Sequence, residues 1–178
     1  MKKRTPGRQL VLRILSQSAT KGLLEFGPLR LPCAIGRSGI RAQKREGDGA
    51  TPRGTFRLVE AYYRADRGKH PRTGLPLRRL GPDDGWCDSA GDRNYNRFVL
   101  HPYAASAERM WRQDHLYDVV IVLDQNRYPR VQGLGSAIFI HLTGQGYAPT
   151  AGCVALKRSD LLKLLPRLTP STVLKTNP

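Results

Sequence analysis

The chain has 178 residues, with 30 Lys and Arg against 14 Asp and Glu, a formal net charge of +16, and 39% hydrophobic residues. That length and apolar content suit one domain, spanning 1–178, with a core of its own. No run approaches the roughly eighteen apolar residues of a membrane-spanning helix.

The basic surplus favours polyanions through counterion release. Its residues are spread over 2–8, 37–45, 64–79 and 157–167, with no zinc-finger spacing, RNP-like aromatic block or recognition helix. Incidental charge or non-specific polyanion binding is therefore the expectation, and an acidic peptide would also be attracted. The basic start, residues 1–8, is not followed by an apolar segment of secretory length. A cytoplasmic location is expected, or a periplasmic one if a leader has been removed. Cys33, Cys87 and Cys153 form an odd set without CxxC spacing, read as free thiols, with a Cys33–Cys87 disulfide as the alternative. No metal or organic cofactor is indicated.

Residues 9–15 and 23–26 read as short strands around a turn at 19–22. Residues 29–35 form a third strand, where Pro32 suggests an edge or a bulge. Residues 36–54, rich in Gly and charge, read as a surface loop ending in the turn Thr51-Pro52-Arg53-Gly54, where Pro presets φ. Residues 55–63 alternate as a strand covered on both faces, Phe56 and Leu58 on one and Val59 and Ala61 on the other. A basic connection over 64–80 follows. Residues 82–96 hold Asp83, Asp84, Asp88 and Asp92, but not with EF-hand spacing, so a turn-rich loop over a packed Trp86 is expected. Residues 98–100 form a strand. Residues 103–114 read as a short helix, with Ala107, Met110 and Trp111 at i, i+3 and i+4. His101 and His115, with no neighbouring nucleophile in sequence, are read as structural or at most substrate-facing. Residues 117–123 make the strongest central strand. A connection at 124–135 leads to the strand 137–141, and the loop 143–149 leads to the strand 153–156. A helix follows with Ser159 as N-cap and Asp160 in its first turn, ending at Pro166. Residues 172–175 form a last strand.

Chemistry concentrates in Ala137-Ile138-Phe139-Ile140-His141 and in Thr150-Ala151-Gly152-Cys153-Val154-Ala155-Leu156. The loop between them can fold the ends together, bringing His141 to Cys153. An imidazole beside a thiol is the usual way to make a cysteine nucleophilic. Gly152 clears space next to the sulfur and leaves the N–H groups of Gly152 and Cys153 free for an oxyanion. Alone, such a pair is ordinarily a buried small hydrophobe and a hydrogen-bonded strand end.

The motif changes that weighting. His141 followed by Thr150-x-Gly152-Cys153-Val154 resembles the signature of the YkuD-type L,D-transpeptidases, in which a histidine precedes a Ser/Thr-His-Gly-Cys-Ile/Val-Arg segment. Upstream, Thr51-Pro52-Arg53-Gly54-Thr55-Phe56 resembles the family's Thr-Pro-x-Gly-x-Phe hairpin. The likeness covers about 29–174 and is strongest to the short, single-domain, leaderless branch. Two positions depart from the pattern: Ala151 replaces the family's second histidine and Ala155 its arginine, leaving Lys157 or Arg158 as cations to substitute for the latter.

The resemblance implies a mainly β fold, a sandwich of two mixed sheets with one or two short helices. It implies an enzyme acting on peptidoglycan stem peptides, with Cys153 as nucleophile, His141 as base, Gly152 and Cys153 as oxyanion donors, and Thr150 either orienting the base or capping local backbone. A Cys thioester would form with release of the terminal D-alanine. Transfer to an amine gives a cross-link. Transfer to water makes the chain an L,D-carboxypeptidase, as a cytoplasmic enzyme of murein recycling would be. An active enzyme should present one unusually reactive thiol. The reading of another class is a non-catalytic polyanion- or wall-binding protein.

Overall fold

The computed structural model describes residues 9–16 and 18–176; the basic stretch at 1–8 lies outside them. In chain order the strands are β1 (Gln9–Arg13), β2 (Lys21–Phe26), β3 (Leu29–Ala34), β4 (Ile40–Arg41), β5 (Thr51–Pro52), β6 (Thr55–Tyr63) and β7 (Leu77–Arg79). They continue as β8 (Asp84–Cys87), β9 (Arg97–Leu100), β10 (Ala107–Arg109), β11 (Val119–Leu123), β12 (Phe139–Leu142), β13 (Val154–Leu156) and, after helix α1 (Arg158–Leu164), β14 (Val173–Lys175).

The largest sheet runs β11-β12-β13-β3-β2-β1-β14-β6-β7, and a further β11–β6 pairing joins its ends. The expected two-sheet sandwich is thus corrected to a closed barrel with β7 appended to β6, beside a separate three-stranded sheet, β10-β8-β9. Closure depends on β14, which pairs in parallel with β1 and antiparallel with β6. Pro32 lies on a strand paired on both sides. The β13 ladder stops at Cys33, so the missing N–H falls beyond that ladder's last pair.

Side-chain alternation divides the buried residues into two cores. Inside the barrel lie Val119, Ile121 and Leu123 of β11, Ile140 and Leu142 of β12, and Val154 and Leu156 of β13, joined by Leu161 and Leu164 of α1. The opposite faces of the same strands contribute Val120, Val122 and Phe139 to a second core with Trp86, Met110, Tyr117 and Cys153. On β6, Val122 pairs with Glu60 and Leu123 with Leu58, so Val59 is an extra residue in a bulge. The bulge flips the parity beyond it. Ala61 therefore points inward with Leu58, and not away from it as simple alternation suggests.

Several local expectations also give way. Residues 103–114 hold no helix. Ala107–Arg109 is instead β10, paired antiparallel with β8, and Met110 is buried in the second core. Ladder pairing and packing outweigh a three-residue apolar spacing that suits helix and strand ends alike. Trp86 is part of β8 and is buried, with the loop residue Arg127 over its ring and its Nε1–H donated to Asn96. The 36–54 segment is more than a surface loop: Ile40, Lys44, Ala50 and Thr51 are buried, and β4 and β5 pair in parallel. Helix α1 is preceded by Lys157 as N-cap, without a side-chain cap, so Ser159 is not the cap; Asp160 does occupy the first turn. Pro166 sits inside a 3₁₀ turn, Leu165–Arg167, that continues from α1. All three cysteines are free. Cys33 faces the barrel interior and Cys87 lies on β8, so the alternative disulfide does not form.

Candidate active site

Strands β12 and β13 run parallel, with Ile140 opposite Val154 and His141 opposite Ala155. Because Ile140 and Val154 point into the barrel, Phe139, His141, Cys153 and Ala155 share the outward face. His141, Cys153 and Ala155 line a cavity of about 410 Å³. The two predicted partners therefore meet in one cleft, although they are not hydrogen bonded to each other in this resting arrangement.

The sulfur is held by backbone. Cys153 Sγ donates to Ala137 O at 3.2 Å and accepts from Phe139 N at 3.3 Å. Ala137 adopts a left-handed φ of 51°, a conformation unfavourable for a residue with a Cβ. The buried Asn96 holds it there, accepting the Ala137 N–H at 3.1 Å and the Trp86 Nε1–H at 2.9 Å. Burial pushes the Cys153 thiol up to about 12, and the Glu108 carboxylate adds to the effect.

His141 is 5% exposed, and its Nδ1 lies 2.8 Å from Leu142 O. A carbonyl only accepts, so Nδ1 carries the proton and Nε2 keeps the lone pair. Burial lowers its pKa to about 4. The resting pair is consequently a neutral thiol and a neutral imidazole. Burial and Glu108 outweigh the Phe139 N–H and Lys44, which favour the thiolate, so the expected unusually reactive thiol does not draw on a lowered pKa here.

The histidine ring packs edge-on to Tyr117, with centroids 5.1 Å apart. Tyr117 in turn donates to Glu108 Oε1 at 2.6 Å. Arg112 lies over the Tyr117 ring, 5.1 Å from its centroid, and 3.8 Å from Glu108 Oε1. Burial raises the Glu108 pKa.

Gly152 has φ 139°, and a Cβ there would lie 2.7 Å from Ala50 O. Both facts call for glycine. Its N–H donates to Thr150 Oγ1 at 3.1 Å, and Thr150 Oγ1 donates to Cys153 O at 2.7 Å. This corrects the pair of free oxyanion donors: the Gly152 N–H is engaged. Among the described residues the Cys153 N–H has no partner. Thr150 acts on the turn and is not hydrogen bonded to His141; its backbone is fixed by Ile35 O and by the Arg37 N–H, each at 2.9 Å.

Neither proposed substitute for the missing arginine reaches the cavity. Lys157 lies over the Tyr147 ring, and Arg158 pairs with Asp118 at 2.9 Å. The cavity's cations are Arg37, Lys44 and Arg112. His101 is packed against Gly85, and His115 pairs with Asp118; neither lines the cavity. Asn96, Glu108 and Tyr117 escaped the sequence reading. An isolated Asn, Glu or Tyr carries no motif: Glu108 lines the cavity from β10 and Tyr117 from the approach to β11, while Asn96, just before β9, acts on it through Ala137.

A family model described as YkuD, L,D-transpeptidase catalytic domain, matches residues 24–175. No curated protein and no solved structure matches the chain.

Proposed function

Because the chain belongs to the YkuD family of L,D-transpeptidase catalytic domains, a family of enzymes acting on peptidoglycan peptides, we propose that it is a cysteine-dependent L,D-acyltransferase of stem peptides. The observation that carries this reading is the shared outward face of β12 and β13. It puts Cys153 and a histidine with its Nε2 lone pair unengaged in one cavity.

In this reading the Cys153 sulfur attacks the carbonyl of the third residue's L-centre as its proton passes to His141 Nε2. The S–C bond forms, and the carbonyl pair moves to oxygen, facing the Cys153 N–H. Collapse breaks the C–N bond. His141 returns the proton to the leaving D-alanine amine, and a Cys153 thioester remains. An amine of a second stem then attacks the thioester with His141 as base, the C–S bond breaks and the thiol is restored. The Nδ1–H···O=C bond to Leu142 holds the ring orientation through both halves.

The test is mass spectrometry of a tetrapeptide stem incubated with the protein, with and without a second stem, beside Cys153→Ala. The expected products are a Cys153 acyl adduct, free D-alanine and a cross-linked dimer. Tripeptide and D-alanine without dimer would make water the acceptor and the enzyme an L,D-carboxypeptidase. No adduct and no product, or equal product from Cys153→Ala, would overturn the acyltransferase reading in favour of a binding protein.

A further inference from the structure

Three cations line the cavity, and two are already neutralised. The buried Lys44 Nζ pairs with Asp48 Oδ1 at 2.5 Å and donates to Arg45 O at 2.7 Å. Arg112 grips Asp114 through Nε at 3.0 and 3.2 Å and through Nη2 at 2.5 Å, with Glu108 beyond. Arg37 differs. Among the described residues it has no acidic partner, and its guanidinium reaches only Gly47 O, at 3.5 Å.

Arg37 is nevertheless placed with care. Its N–H donates to Thr150 O at 2.9 Å, and its neighbour Gly36 pairs with Thr150, so its backbone is tied to the turn that carries Cys153. Its side chain lies flat across Gly49. A Cβ at Gly49 would come within 2.8 Å of Arg37 Cγ, Nε and Cζ, and Gly49 holds φ 67°. A guanidinium so laid down, with its donors largely unmet, is prepared for a planar acceptor. Meanwhile Ala155, opposite His141, leaves the cavity without a cation at the position where the family pattern has one.

We propose that Arg37 is the carboxylate receptor of this site, pairing through its guanidinium with an α-carboxylate of the stem peptide beside the scissile bond. This rests on the acyltransferase reading. Two groups share that chemistry: the terminal carboxylate of the leaving D-alanine, and the D-centre carboxylate on the third residue's side chain.

The test measures kcat/KM for Cys153 acylation in the wild type, Arg37→Gln and Arg37→Lys. Three tetrapeptides are used: the parent, the C-terminal carboxamide and the third-residue D-centre carboxamide. A charge-assisted pair at an exposed arginine predicts a loss of about three- to tenfold. The wild type should lose it on one amide only, and that amide names the carboxylate. Arg37→Gln should lose as much on the parent and no longer separate parent from amide, with Arg37→Lys between. Its backbone bond to Thr150 is retained, and an unchanged melting temperature excludes misfolding. A wild type indifferent to both amides, or an Arg37→Gln that still discriminates fully, overturns the assignment while parent acylation keeps the enzyme reading intact. Absence of any Cys153 adduct with the parent sinks both.

Discussion

Acidification should expose His141 in the protein's stability before it does so in chemistry. The ring is held neutral, with its pKa lowered by burial from 6.5 to about 4. The groups facing it are Tyr117, Arg112, Asp114 and the Cys153 thiol. A depressed histidine pKa means that the unfolded chain takes the proton first as pH falls below 6.5. Stability is complete above that value and is lost toward pH 4. The loss runs at roughly 1.4 kcal/mol per pH unit and reaches about 3 kcal/mol by pH 4. Urea titrations of the wild type and His141→Gln at pH 7.5, 5.5 and 4.5 isolate this contribution, because carboxylates with lowered pKa, such as Asp118 and Asp48, act equally in both. The wild type's unfolding free energy should fall faster on acidification, closing on the variant by about 1 kcal/mol at pH 5.5 and about 2 to 3 kcal/mol at pH 4.5. Parallel curves for the two proteins would refute the buried, neutral imidazole. In activity, the acid limb of kcat/KM should lie well below pH 6.5.

The other predictions concern the thiol and its turn. Cys153 alkylation by iodoacetamide, resolved by peptide mass spectrometry, should stay slow at pH 7 and keep rising beyond pH 9, since the thiol is pushed up to about 12; a plateau by pH 8 would contradict this. Gly152→Ala should cost about 2 to 4 kcal/mol by denaturant melting, from left-handed strain and the clash with Ala50 O, and a variant as stable as wild type counts against the turn geometry. Thr150→Val removes the hydroxyl that bridges the Gly152 N–H and the Cys153 carbonyl, costing about 1 to 3 kcal/mol and slowing acylation; Thr150→Ser should restore most of both. Tyr117→Phe keeps the ring against His141 but unlinks Glu108, so kcat should fall with little change in KM, whereas an unchanged kcat would leave that hydrogen bond purely structural.

Much of the β architecture was legible because alternation and turn chemistry act locally. Residues 55–63, 98–100 and 117–123 fold as strands close to their predicted limits. Barrel closure was not legible. It depends on β14 pairing with β1, Gln9 opposite Val173, a contact between chain ends that no local pattern encodes. The bulge at Val59 likewise reverses a face assignment that strict alternation gave plainly. At the site, the order His141, Gly152, Cys153 was readable as a motif, and the structure places His141 and Cys153 in one cleft, with Gly152 in the turn that carries Cys153. Whether the Gly152 N–H was free could not be read, since Thr150 occupies it only through the curl of the turn. Glu108 reaches the cleft through the pairing of β8 with β10, and Asn96 reaches the cavity-lining Ala137 from just before β9, tertiary events without a sequence signature.

The second core gives the resting state its chemical meaning. Trp86, Met110 and Tyr117 pack on the outward face of the barrel strands with Cys153, and Tyr117 also packs against the His141 ring. Burial raises one pKa and lowers the other, and both shifts oppose an ion pair. On the acyltransferase reading, the proton then leaves sulfur only as the carbonyl carbon bonds to it, when the negative charge has moved to an oxygen facing the Cys153 N–H. The imidazolium formed at that moment meets the Tyr117 ring, whose hydroxyl is held by Glu108. Selectivity follows from the same arrangement. An electrophile that lacks an oxygen to receive the charge gains nothing from the Cys153 N–H and finds a thiol of low acidity. A carbonyl substrate anchored beside the sulfur supplies that oxygen and so completes the charge distribution of the site.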